Sequence, residues 1–469
     1  MCIGHTDSNA TGNDPVQNRF FTPEPERAQI NDWRTHAMKW FSRKTKKALI
    51  IGIDGVPCTL IRTLTENGTM PNLNQILNQG FMLHSMKASL PEISSVSWTS
   101  FMTGVNPGEH GIFGFTHLQP SSYKLHFTNS RDMKSPPFWQ TLSKMGRVKK
   151  SLVLNVPSTY PAFPIEGLLV SGFVAVDFEK AVYPFSYVPV LRSMGYIIDV
   201  EAEKAREDKK ALYEDILRSL SIRGKAFLEL FDREPWDLSI FCITETDRLH
   251  HFFFDEVGTH SFERVYRMID QIISDLYSAA KKRWDEEFLF VILSDHGFSP
   301  LKKEVNLNAY LKQGGSLQLD PSKEYYEKIG AGTEAFAMDP GRIYIHDRKR
   351  FPLGSLRPDQ GRAVREKLKK TLFDLKDGEG NPVIALIFEK EEIYKGPCLD
   401  DGPDLVCIPN PGFDLKGNLR KEEIFTKDIF TGMHTWENAT LILPGNVQVS
   451  SPINIEFPAK VIMDYYTQP

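Results

Sequence analysis

The chain has no apolar run long enough to span a bilayer, and its first residues lack the basic-then-apolar pattern of a secretory leader. Both absences predict a protein that neither crosses a membrane nor is exported. Cysteine is scarce: the five residues Cys2, Cys58, Cys242, Cys398 and Cys407 are scattered and form no CxxC pair. That excludes a disulfide framework and a thiolate zinc site, and predicts a reduced, cytoplasmic protein. There is no excess of basic residues either. A formal net charge of -4 gives a nucleic-acid polymer or an anionic membrane no electrostatic reason to bind. Internal repeats and low-complexity blocks are missing, which excludes a solenoid.

What is present is an ordinary globular composition, 41% hydrophobic and 25% charged, in a chain of 469 residues. That length suits one large α/β domain with insertions, or two to three modest domains. Residues 1–45 are polar and predict a tail with a short helix near Trp33–Phe41. Order is expected from Lys46, where KKALIIGIDG has the apolar run of a buried parallel strand. SLVLNVP (Ser151–Pro157), LLVSGF (Leu168–Phe173), DLSIFCITETD (Asp237–Asp247) and FLFVILSDHG (from Phe288) read the same way. Helical patterns lie between them, at Met70–Gly80, Lys210–Phe231 and Glu263–Lys282. Strands alternating with helices predict a mostly parallel sheet sandwiched by helices. Between residues 305 and 425 charge rises and strands shorten, as in GRIYIHD (Gly341–Asp347), which predicts an inserted, smaller α+β lobe. The core would then be 46–304 with 426–469, and 174–210 would cap its active face.

Three core strands lead into an acid: Asp54, Asp247 and Asp295. Ligands of open parallel sheets bind beyond the carboxyl ends of the strands, and three carboxylates gathered there repel one another unless cations intervene. Taken singly, each could instead cap the following helix or turn. In Asp247-Arg-Leu-His-His251 the outer residues are four apart, so a helix starting near Asp247 would put them on one face and turn His250 elsewhere. Asp295 and His296 are adjacent and can converge only where the strand breaks into a turn, which Gly297 permits. GMHTWENA adds His434. The stretch Leu90–Phe115, LPEISSVSWTSFMTGVNPGEHGIFGF, puts Ser94 and Ser95 at the start of a helix over Val96–Met102, where the positive dipole end favours an anion. A serine there is an N-cap or, beside a metal, a nucleophile. His110 lies in a turn and is expected to fix the loop by hydrogen bonds.

In this order, the IGIDG strand, a hydroxyl nine residues before Thr103-Gly104, NPGxHGI, DxxxH, SDHG and GxH resemble the alkaline phosphatase superfamily, and within it the type I phosphodiesterase/nucleotide pyrophosphatase branch. The resemblance covers residues 46–300 and the segment around His434. It implies an alkaline-phosphatase-like fold and a binuclear site: Asp54, Ser94, Asp295 and His296 on one metal, Asp247, His251 and His434 on the other. It implies Ser94 as nucleophile, with Ser95 as the adjacent alternative, where the branch usually has threonine. The implied cofactors are two divalent ions, zinc or else manganese or iron, since these oxygen and nitrogen ligands do not decide by softness. The implied substrate is a small phosphate ester or nucleotide, hydrolysed through a phosphoserine.

One position departs from the branch: the asparagine that follows HGI and contacts the phosphoryl group is Phe115 here, leaving Arg131, Lys134 or Thr116 as replacement donors. The CxPxR signature of sulfatases is absent around Ser94. Two other readings use the same residues: a phosphotransferase or mutase that hands the phosphoryl group to an alcohol, and a binding protein on an inactive scaffold. An added alcohol acceptor tests the first and metal analysis the second. The oligomeric state is not legible.

Overall fold

The computed structural model describes residues 45–202, 206–285 and 287–468. The polar segment and the helix expected at Trp33–Phe41 lie outside these, and so does Cys2; Cys58, Cys242, Cys398 and Cys407 are buried and unpaired.

The main sheet has eight strands: β1 (Ala48–Ile53), β2 (Phe81–Met86), β3 (Ser151–Val156), β4 (Gly167–Ser171), β5 (Val182–Tyr183), β6 (Leu238–Ile243), β7 (Leu289–Leu293) and β8 (Ala439–Pro444). Their order is β2-β8-β7-β1-β6-β3-β4-β5. The run from β7 to β4 is parallel throughout, and β8, β2 and β5 join antiparallel at its margins. The architecture is the mixed α/β one expected from the apolar runs. Strands covered on both faces have no polar side to show, hence their unbroken hydrophobicity.

The period-two alternation of β1 sorts its side chains between two cores. Leu49, Ile51 and Ile53 pack with the helices Lys209–Arg233 and His260–Trp284. Ala48 and Ile50 pack on the other face with Trp98, Phe101 and Met102 of the helix Ser94–Thr103 and with the C-terminal helix Phe457–Thr467. Gly52 sits on this second face. A Cβ there would lie 2.5 Å from the Trp98 ring, so the glycine is required by close packing in mid-strand.

Residues 335–409 form a separate four-stranded antiparallel sheet, ordered Ala335–Met338, Arg342–Ile345, Leu405–Pro409, Ile384–Glu389. A further apolar core, from Val305 to Leu419, lies under it. The 174–202 stretch is partly woven into the main fold: its strand β5 closes the sheet edge, and the helix Val188–Ser193 follows. Among the described residues no helix is long and apolar enough to cross a membrane.

Candidate active site

Three neighbouring strands explain why the acids converge. β7, β1 and β6 are adjacent and parallel, and their ends are level: Ile53 pairs with Ile243 and Gly52 with Leu293. Asp54 follows its strand directly, and Asp295 follows its own after one residue, Ser294. Asp247 does not end its strand, as the sequence had suggested. β6 stops at Ile243, and Asp247 is the third residue of the helix Glu245–Phe253. One helical turn brings it back over the same edge.

None of the three carboxylates caps a helix. The helix after β1 has Pro57 at its N-cap, with no side-chain bond. Instead, Asp54 Oδ2 accepts from Trp98 Nε1 at 3.1 Å. Asp295 Oδ1 accepts from the Gly55 N–H at 3.0 Å. His296 donates from Nδ1 to the Gly297 carbonyl at 3.0 Å, which leaves Nε2 with its lone pair. That nitrogen lies 3.3 Å from Asp295 Oδ2 and 3.7 Å from Asp54 Oδ1. Ser94 Oγ completes the group, 3.1 Å from His296 Nε2 and 3.4 Å from Asp54 Oδ1. Ser94 is also not a cap: the N-cap is Ile93, and Ser94 is the first residue of its helix, where the positive dipole end lies.

Gly297 matters for a reason other than the expected one. It is absent from the glycines with positive φ and continues as a strand, Gly297–Pro300, paired antiparallel with Gly432–Thr435. A Cβ there would come 2.4 Å from Thr435 Oγ1 and 2.5 Å from the Glu437 carbonyl. The glycine admits the returning chain, and the pairing of Phe298 with His434 stacks that imidazole on His296, with ring centroids 3.7 Å apart.

The second group forms around Asp247. Its Oδ1 lies 3.4 Å from His251 Nε2 and 3.2 Å from His434 Nε2, and the two nitrogens are 2.9 Å apart. His434 donates from Nδ1 to the Glu92 carbonyl at 3.1 Å, so its Nε2 also presents a lone pair. His250 turns away as expected. Its Nδ1 donates to the Gly55 carbonyl at 2.8 Å and its Nε2 accepts from the Tyr266 hydroxyl at 2.7 Å, and burial drives its pKa down to about 3. His110 likewise serves the loop: Nδ1 accepts from the Ile112 N–H at 3.1 Å and Nε2 meets Ser100 Oγ at 2.9 Å.

The electrostatics are those of a cation site. Burial raises Asp54 well above the carboxylate range, and the charges of Asp295 and Asp247 raise it further. Burial pushes Asp295 up to about 7. Burial would raise Asp247 too, but His251, His434 and Arg248 outweigh it and hold that carboxyl well below its usual value. Burial, then His434, lowers His296 to about 4. Asp295 Oδ2 and Asp247 Oδ1 are buried oxygens with no hydrogen-bond donor. Such orphans cost about 1–3 kcal/mol each unless something else neutralises them. The donor atoms of Asp54, Asp295 and His296 lie within 4.8 Å of one another, as do those of Asp247, His251 and His434. These sets fit divalent cations.

Sequence reasoning missed several supporting residues. Trp98 stands four residues after Ser94, the same-face spacing that should have linked it to Asp54. Thr246 Oγ1 donates to the Asp54 carbonyl at 2.6 Å. Ser294 Oγ accepts from the Val56 N–H and donates to the His296 carbonyl, both at 2.7 Å. Arg248, between two candidate ligands in the chain, donates to Asp247 and Asp199. Phe115 packs edge-to-face on Phe173, with centroids 5.3 Å apart. Arg131 and Lys134 are exposed, the latter's stem lying beside Gly111. The carbonyl of Thr116 accepts from Arg342 at 2.9 Å.

A phosphoester-cleaving α/β enzyme is the class to which this sheet edge, its hydroxyl and its carboxylate–imidazole sets belong. The chain matches the type I phosphodiesterase/nucleotide pyrophosphatase family over residues 48–437 and belongs to that family; it is a phosphoric ester hydrolase of the alkaline phosphatase superfamily. No curated protein matches it in sequence. Among solved structures it is similar in fold to phosphonoacetate hydrolase from Sinorhizobium meliloti 1021 in complex with phosphonoformate. The TM-score is 0.63 and the identity 14%, over 90% of this chain and 96% of that one. It is also similar to murine ectonucleotide pyrophosphatase/phosphodiesterase 5, an inactive threonine-to-alanine variant in complex with AMP. Here the TM-score is 0.53 and the identity 14%, over 90% of this chain and 95% of that one.

Proposed function

We propose that the protein is a metal-dependent phosphodiesterase or pyrophosphatase that works through a phosphoserine on Ser94. Asp54, Asp295, His296 and Ser94 would hold one divalent ion, and Asp247, His251 and His434 the other; zinc suits these ligands, with manganese the next choice. Bound there, the two ions would supply positive charge that favours the ionised serine and neutralises the phosphoryl and leaving oxygens.

The chain's own residues do the rest. Trp98 and the Gly55 N–H fix the rotamers of Asp54 and Asp295. Ser94 Oγ gives up its proton to solvent and attacks phosphorus; the Oγ–P bond forms, the bond to the leaving oxygen breaks, and that oxygen takes a proton from solvent. Water then attacks phosphorus on the opposite side of the Oγ–P bond, that bond breaks, and Ser94 recovers its hydroxyl. No Ser-His-Asp triad is needed, because His296 Nε2 and the carboxylates face Ser94 as ligands rather than as a base. Residues 174–202 and the lobe 305–425 would supply the walls that select a small phosphate ester or nucleotide in a cytoplasmic setting.

The observation that carries this reading is Ser94 Oγ, 3.1 Å from His296 Nε2 at the edge of two carboxylate–imidazole sets with orphaned oxygens. The test is turnover of p-nitrophenyl mono- and diesters with zinc and with manganese, by wild type and Ser94→Ala. Acid quenching should trap phosphate on wild type alone. A variant that turns over at the wild-type rate overturns the nucleophile, and transfer to an added alcohol in preference to water would make the enzyme a phosphotransferase.

A further inference from the structure

We propose that Arg248, anchored by Asp199, decides which oxygen of Asp247 is offered to a cation, and so ties the 196–199 strap to the metal centre. The inference rests on the two-cation reading above. The two Asp247 oxygens are in unlike surroundings. Oδ2 accepts from Arg248 Nη1 at 3.2 Å, whereas Oδ1 is buried, has no donor, and faces the Nε2 atoms of His251 and His434. A carboxylate turns about its last torsion, and only a partner on one oxygen commits the other.

Arg248 is suited to be that partner because it is held from several sides. Its Nη2 and Nε grip Asp199 at 2.7 and 3.3 Å. Its guanidinium lies over the Phe173 ring, 4.3 Å from the centroid, and Phe173 is braced by Phe115. Asp199 is held in turn. The carbonyl of Ile197 accepts from Arg223 Nε at 2.9 Å and that of Ile198 from Asn155 Nδ2 at 2.8 Å. Arg223 pairs with the fully buried Glu245, two residues before Asp247 on the metal-bearing helix. The strap and that helix are therefore cross-braced, and Asp199 also balances the positive charge that Arg248 brings beside a cation. Arg248 is a positioning residue: it acts through Asp247.

The test is titration of the cation-free full chain with Co2+, followed by calorimetry and by the visible spectrum, for wild type, Arg248→Met, Arg248→Lys and Asp199→Asn. The expected result is that one of the two cation sites weakens about 10–100-fold in Arg248→Met and Asp199→Asn while the other keeps its affinity. The Co2+ bands should lose intensity in Arg248→Met, because a freed Oδ2 lets Asp247 chelate and raises the coordination number. Arg248→Lys, which keeps the charge without the two-pronged grip, should fall between. Asp199→Asn carries the test if Arg248→Met fails to fold. Two sites of wild-type affinity and spectrum in both variants would overturn the inference while leaving the two-cation reading intact. A wild type that binds no Co2+ would remove both.

Discussion

The two halves of the site are built differently. Asp54, Asp295 and His296 are completely buried, and each is fixed by its immediate neighbourhood: an indole N–H, a backbone N–H, a backbone carbonyl. Asp247, His251 and His434 come from a helix and a returning strand, and the two histidines are part-exposed. Asp247 depends on long side chains for its orientation. Strand ends set the first half, while the second takes its geometry from an assembled network and is partly open to solvent. The hydroxyl proposed as nucleophile, Ser94, stands with the first half, where misplacement by an ångström is least tolerable.

The largest effect expected from breaking this arrangement is at Ser94. Ser94→Ala should cost about 10⁴-fold or more in kcat while both cations still bind, read by steady-state kinetics and metal analysis on one preparation. Chelation comes next. Stripping the ions should abolish turnover and lower Tm, since an ion at 100 times its Kd stabilises the folded state by about 2.7 kcal/mol. The two halves should part company here: Asp295→Asn should raise the Tm of the cation-free protein, by relieving an orphaned buried oxygen, yet lose most of the rise on adding zinc.

Gly52→Ala tests how far the first half depends on mid-strand packing. The added methyl meets the Trp98 ring, so stability should fall by about 1–3 kcal/mol in a denaturant melt, and kcat should fall with it as Trp98 lets go of Asp54. The last effect, confined to acid pH, concerns His110, whose pKa burial lowers from its ordinary 6.5 to about 3. Between those values the unfolded chain takes up a proton that the folded one refuses, so stability is full above the upper value and declines as pH falls. His110→Gln should flatten that acid-side decline by up to a few kcal/mol, measured as melts between pH 7 and 4.

Much of this was legible in the chain. The parallel strands announced themselves as apolar runs because both of their faces are covered. The candidate ligands stood out because acids and imidazoles follow those runs at spacings that a turn or one helical turn can bring together. The supporting groups were not legible. Gly297 looked like a turn residue and proved to be a gap for the chain at Thr435 and Glu437. Asp199 carried no local signal at all, since its meaning lies in Arg248, 49 residues away. Trp98 could have been paired with Ser94 by helical spacing, but its bond to Asp54 depends on Gly52 leaving room.

By itself, the sequence determined the sheet, the hydroxyl-bearing helix and the kinds of atoms offered to a cation, because periodicity and ligand chemistry are local properties of a chain. Which oxygen of Asp247 is held and which is left open, and which imidazole nitrogens keep their lone pairs, was decided only in the folded molecule. Those choices are hydrogen bonds between residues distant in sequence, and such bonds exist only once the strands are level and the returning segment has stacked His434 on His296.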